Sequence, residues 1–191
     1  SNAAIAVAVA LLFHFPAVIP ALLVLGVAAV RARRLRSFGW IAGAAALVAL
    51  LAVFQTGTRE YQPVLATVDA EWEALQRFRA SYNWISKWRA GLLTEFFVLA
   101  TIGAAACARL WRHLREEHRI AFLGLIAIGL VSLGVASVTM EQWRWLLMSQ
   151  VQPARAALFL NVLSVVLPGI CAARAMQDRR WLEAIPWSCL T

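Results

Sequence analysis

The residues best suited to chemistry lie in one short link. Glu141-Gln142-Trp143-Arg144-Trp145 and Ser149-Gln150-Val151-Gln152-Pro153-Ala154-Arg155 set guanidiniums, amides and indoles between two apolar runs. Arginine presents a planar fork of donors that matches phosphate or carboxylate. An indole stacks on a sugar or sits among lipid headgroups. Pro153 ends or begins a helix, so Gln152 and Arg155 should project from a defined turn. Arg155, Gln152 and Arg144 are therefore candidates for holding a phosphate or sugar. The same residues also suit an aromatic belt with arginines at headgroup level.

Glu95 is the other candidate. It is the one acid inside an apolar stretch, where a carboxylate is costly and faces protein or water. Arg89, Arg144 or Arg155 are possible partners. A buried ion pair and an end residue reaching for the interface are the structural alternatives. His14 is the single histidine in an apolar segment, and haem ligation between helices would want two. His113 and His118 read as solvated. Cys107, Cys171 and Cys189 have no metal or redox spacing and are expected to be reduced and buried. There is no P-loop, dinucleotide turn, HExxH, CxxC or GxSxG pattern. Nothing in the pattern calls for a metal or a cofactor.

The elements that must position these groups are membrane helices. Hydrophobic residues make up 62% of the chain and charged ones 15%, with a mean hydropathy of +0.70. Soluble domains carry about 45–50% apolar and about 25% charged residues. A span needs about 20 mostly apolar residues. Five segments qualify: Ala3–Val30, Phe38–Phe54, Leu92–Leu110, Ile120–Met140 (with an extension to Met148 open) and Ala154–Ala175. The expected fold is all-α, an integral membrane bundle of about five helices, because backbone groups in lipid must pair within the segment. Residues 1–191 read as one transmembrane domain, a stretch of a longer polytopic chain. The opening apolar run is read as a span rather than a leader.

The net charge is +8. The arginines sit in clusters between spans, which points away from nucleic acid and toward the membrane border. Arg31, Arg33, Arg34 and Arg36 follow the first span; Arg109, Arg112, Arg115 and Arg119 follow the third; Arg174, Arg179 and Arg180 follow the fifth. The positive-inside rule puts these links in the cytoplasm and the N-terminus outside. Anionic headgroups are their generic neighbours. Pro16 and Pro20 predict a kink or break in the first span. Gly124, Gly129 and Gly134, with Ser132 and Ser137, read as a helix-packing face.

The long connection at 56–90 is expected outside. Thr56-Gly57-Thr58 turns, and Pro63 can open a helix. Leu65, Val68, Trp72, Leu75, Phe78, Tyr82 and Ile85 then recur at steps of three and four, an amphipathic helix. Acids precede bases, and Glu73 to Arg77 is an i,i+4 pair. The helix is expected to pack on the outer surface, as an interfacial anchor or as a lid or wall over a groove. Trp84 and Trp88 are expected at headgroup level.

The run Gln150-Val151-Gln152-Pro153-Ala154-Arg155-Ala156-Ala157-Leu158-Phe159 resembles the Q-P-x-R-A-L segment of large bacterial polytopic membrane proteins similar to GT-C-type glycosyltransferases. The resemblance spans roughly Ile120 to Thr191, and Gln152 and Arg155 are the residues that match. It implies a bacterial inner-membrane protein using a lipid-linked sugar, such as a polyprenyl-phosphate carrier. Such proteins carry their catalytic acid in an early external loop. Asp69 and Glu71 do not match that motif, so no catalytic residue is carried over and enzymatic activity stays open. Two other classes remain. A transporter or channel subunit would use the Pro-interrupted first span and Glu95. A scaffold would use only helix packing.

Overall fold

A computed structural model describes residues 20–31, 33, 39, 40, 42, 43, 46 and 66–191. Most of the expected spans Ala3–Val30 and Phe38–Phe54 lie outside these residues, with His14, Pro16, Thr56-Gly57-Thr58 and Pro63. The described part is helical, and its one β feature is an isolated bridge between Thr67 and Trp145.

Among the described residues, three helices are long and apolar enough to cross a membrane. They are Ala90–Leu110, Glu116–Gln142 and Pro153–Gln177, with 21, 27 and 25 residues. At 1.5 Å per residue the shortest is about 30 Å long, the thickness of a hydrocarbon core. All three fall where the third, fourth and fifth apolar runs lie. We label the helices α1 (Pro20–Arg31), α2 (Ala70–Arg79), α3 (Ala90–Leu110), α4 (Glu116–Ala136), α5 (Leu146–Val151), α6 (Leu158–Gln177) and α7 (Trp181–Cys189). A 3-10 turn at Pro153–Ala157 leads into α6.

The helix after Ile120 does not run straight to Met148. A π turn at Ser137–Gln142 widens the end of α4, and Trp143 donates from its backbone to Val138 O at 3.0 Å. The chain then breaks at Arg144, whose φ is 50°. A π turn shifts the register of the side chains beyond it, and such turns gather at functional sites. Here it turns Arg144 toward Glu73 of α2 and Glu141 toward Ser86 further along the same segment.

α3 and α6 run parallel and pack directly on each other, with α4 antiparallel against both. The core is small and aliphatic, built from Ala106, Cys107 and Leu110 of α3, Ile126 of α4, and Leu160, Leu167 and Cys171 of α6. The Cys171 thiol approaches Ala106 O at 3.6 Å. Gly129 lets α4 close on the start of α6: a Cβ there would lie 2.9 Å from Leu160 Cγ. Gly124 does the same for α1, where a Cβ would meet Val24 Cγ1 at 2.6 Å. Gly134 does not belong to the packing face, since a Cβ there would meet nothing within 4 Å. Cysteine burial holds for Cys107 and Cys171, whereas Cys189 is exposed.

One end of the bundle collects arginines. Arg109 makes a two-armed bond to Glu183, with Nη2 at 3.0 Å from Oε2, and this fastens α7 to α3. Arg31 faces Glu116 at 3.5 Å. Arg112, Arg115, Arg119, Arg174, Arg179 and Arg180 occupy the same end by connectivity. The opposite end holds α2, Tyr82, Trp88, the Arg144 break, α5 and the turn at Pro153.

Candidate functional site

The site is assembled at the end opposite the Arg109–Glu183 fastening, from α2 and the link between α4 and α6. α2 starts where Asp69 Oδ1 accepts from Trp72 N at 2.7 Å, an ordinary N-cap. Glu71 and Glu73 occupy its first turn and Arg77 and Arg79 its last, as the helix dipole favours.

Glu73 is the anchor of α2. It is only 8% exposed, accepts from Arg77 Nε at 2.8 Å on one carboxylate oxygen, and is ion-paired through the other with Arg144 Nε at 3.1 Å. A buried carboxylate needs such partners, because its desolvation is otherwise uncompensated. Arg77 also lies over the Trp84 ring, 4.2 Å from its centre. Gln76 Nε2 donates to Ser149 Oγ at 3.2 Å, and Ser86 N donates to Glu141 Oε1 at 2.8 Å. Two backbone bonds at the Thr67–Trp145 bridge close the join: Val68 N to Arg144 O at 2.7 Å and Leu146 N to Ala66 O at 2.9 Å. α2 is therefore docked on the link by polar groups. Trp84, expected to face headgroups, is instead buried in the protein beneath Arg77, 1% exposed.

Past α2 the chain makes two 3-10 turns, Ser81–Asn83 and Ile85–Lys87, which deliver Tyr82 and Trp88 to the head of α3 and α6. Arg155 Nη2 donates to the Tyr82 hydroxyl at 2.8 Å, and its guanidinium lies 5.2 Å from the centre of the Tyr82 ring. Trp88 Nε1 donates to Tyr82 O at 2.9 Å, and its ring meets Phe96 with centres 5.5 Å apart. Between these residues lies an open groove of about 350 Å³, lined by Tyr82, Trp88, Leu92, Phe96, Arg155 and Leu158 with two alanines. It is an aromatic and aliphatic trough with one cation at its wall.

The four sequence candidates part company here. Arg155 lines the groove. Arg144 is committed to Glu73. Gln152 caps the turn before α6 with φ 50° and ψ 62°, a left-handed backbone that costs a non-glycine residue about 1–2 kcal/mol. Its Oε1 is buried with no hydrogen-bond partner. Glu95 stands on α3 away from the groove, its side chain 54% exposed and 3.8 Å from Arg89. Of the three arginines considered for it, Arg89 is the one it faces. Tyr82, Trp88, Leu92 and Phe96 had no chemical signal of their own. A tyrosine on the outer stripe and an indole before the span were the only hints. Among the described residues no three His, Cys, Asp or Glu side chains gather to hold a metal ion.

No family model matches the chain, and neither the curated proteins nor the solved structures contain a match. What the molecule is therefore rests on its own geometry: an all-helical protein with three described helices able to cross a membrane and a short helix, α2, docked at one end.

Proposed function

We propose that the chain is the membrane portion of a GT-C-like glycosyltransferase or related envelope-polymer protein of the bacterial inner membrane, and that its groove takes a lipid-linked phosphate. The carrying observation is Arg155 at the wall of an otherwise apolar trough, at the end of the bundle that lacks the arginine clusters. An amphiphile with one anionic group and a long apolar tail matches that combination. The phosphate would meet the guanidinium beside Tyr82, and the tail would lie along Leu92, Phe96 and Leu158. The volume falls within the range of about 300–1,000 Å³ for small-ligand sites. The positive-inside rule would place the arginine-rich end in the cytoplasm and the groove outside.

Gln152 and Arg144 take supporting parts in this reading. Gln152 sets the turn that projects Arg155, and Arg144 holds the external wall through Glu73. The test is equilibrium binding of a polyprenyl phosphate to the detergent-purified protein, with Arg155 intact and as Arg155→Ala. Binding indifferent to the substitution would remove the phosphate site.

A further inference from the structure

α2 is docked the wrong way round for a helix that lies in water. Its inward residues are Glu73, Gln76 and Arg77, all bonded to the rest of the protein. Its outward residues include Trp72, Leu75 and Phe78, at steps of three, and these are exposed, Phe78 by 87%. Water would favour the opposite arrangement, since each large apolar side chain left in water forgoes about 1.5–3 kcal/mol. Glu71 and Arg79 flank the ridge at its two ends and are also exposed. The arrangement is that of a helix whose polar face is satisfied by protein and whose apolar face meets something apolar.

The position of α2 says what that is. The helix sits at the end of the bundle where α3 begins at Ala90, a few residues beyond Trp88. Trp143, on the adjoining link, is also exposed. Exposed indoles and flanking charges mark the level where acyl chains give way to headgroups. The spans present their own exposed apolar side chains just beyond, Phe97 and Val98 among them. We infer that the Trp72–Leu75–Phe78 ridge inserts into the lipid leaflet at this end of the bundle. The bilayer thus covers the ridge and holds the wall of the groove at membrane level. This inference does not depend on what the groove binds.

The test uses the whole chain in phosphatidylcholine and phosphatidylglycerol vesicles. An environment-sensitive fluorophore is placed by Phe78→Cys or Leu75→Cys in a Cys189→Ser background. Both sites are exposed, so folding is little disturbed. A third label replaces Lys87, exposed on the same segment but off the ridge. Labels at 75 and 78 should shift to the blue and lose about half their emission to lipids brominated near the headgroup, as expected for a helix face seated at the acyl boundary. The label at 87 should respond to aqueous iodide instead. Iodide quenching at 75 and 78 would overturn the inference by showing the ridge in water. Protection from both quenchers would overturn it by showing that protein covers the ridge.

Discussion

Arg144 reaches Glu73 at 3.1 Å across the join between the α4–α6 link and α2. The two residues are remote in sequence, and both have unusual settings. Glu73 is buried, and Arg144 has a left-handed backbone. With Arg77 on its other oxygen, Glu73 is the point at which α2 is fastened. Glu73→Ala should lose a hydrogen bond to one guanidinium and an ion pair to another, about 1–3 kcal/mol, and leave two guanidiniums side by side. Hydrogen exchange should show faster exchange of the 70–79 amides, with α3, α4 and α6 unchanged. Glu71→Ala, exposed in the same first turn, should lose only about 0.3–1 kcal/mol.

The fastening at the other end is sensitive to acid. The Arg109 guanidinium bonded to Glu183 holds its carboxyl below the usual carboxylate value. The folded state thus favours the ionised form. This contribution is complete above the ordinary value of 4.5 and is lost as pH falls through the depressed one. Hydrogen exchange of α7 should accelerate as the pH is lowered through that window. Glu183→Gln should start with α7 loosened and lack this part of the acid response.

The glycines of α4 should separate cleanly. Gly129→Ala puts a methyl 2.9 Å from Leu160 Cγ and 3.3 Å from Ala156 O. The backbone oxygen cannot move aside cheaply, so overpacking should lower stability by about 1–3 kcal/mol. Gly134→Ala meets nothing within 4 Å and should be neutral or stabilise the helix by up to about 1 kcal/mol. Thermal unfolding in detergent distinguishes the two, and equal effects would contradict the packing described.

Much of this was legible in the residues, for physical reasons. Spans announce themselves by local composition, so Leu92–Leu110 and Ala154–Ala175 differ from the observed helices by only a few residues. The stripe of α2 is also local. Which face docks is not, because periodicity says that a helix has two faces without saying what surrounds it. Here Glu73 turns inward because Arg144 waits for it, and Arg144 is placed by a π turn that no propensity marks. For the same reason Trp84, read as an interfacial indole, is buried under Arg77. Arg155 was visible as a candidate from its type and from Pro153 before it. Its groove was not, since Tyr82, Trp88 and Phe96 come together only when two 3-10 turns bring the segment after α2 back to the head of α3.

The Arg155–Tyr82 contact should separate charge from shape. Tyr82→Phe removes one hydroxyl acceptor and keeps the ring beneath the guanidinium. It should alter phosphate binding by less than about tenfold, because the phosphate itself accepts from the guanidinium that loses the hydroxyl. Trp88→Ala, which removes a groove wall and the bond to Tyr82 O, should weaken binding of the apolar tail for charged and uncharged lipids alike.

The most direct measurement compares a polyprenyl phosphate with the uncharged polyprenol, each titrated into the purified protein and into Arg155→Ala. A charge-assisted contact of about 1.5–3 kcal/mol corresponds to roughly a 10- to 100-fold preference. The account predicts that preference for the phosphate in the intact protein and its loss in Arg155→Ala, with polyprenol affinity unchanged. Equal affinity of the intact protein for both lipids, or a preference that survives the substitution, would contradict a phosphate site at Arg155.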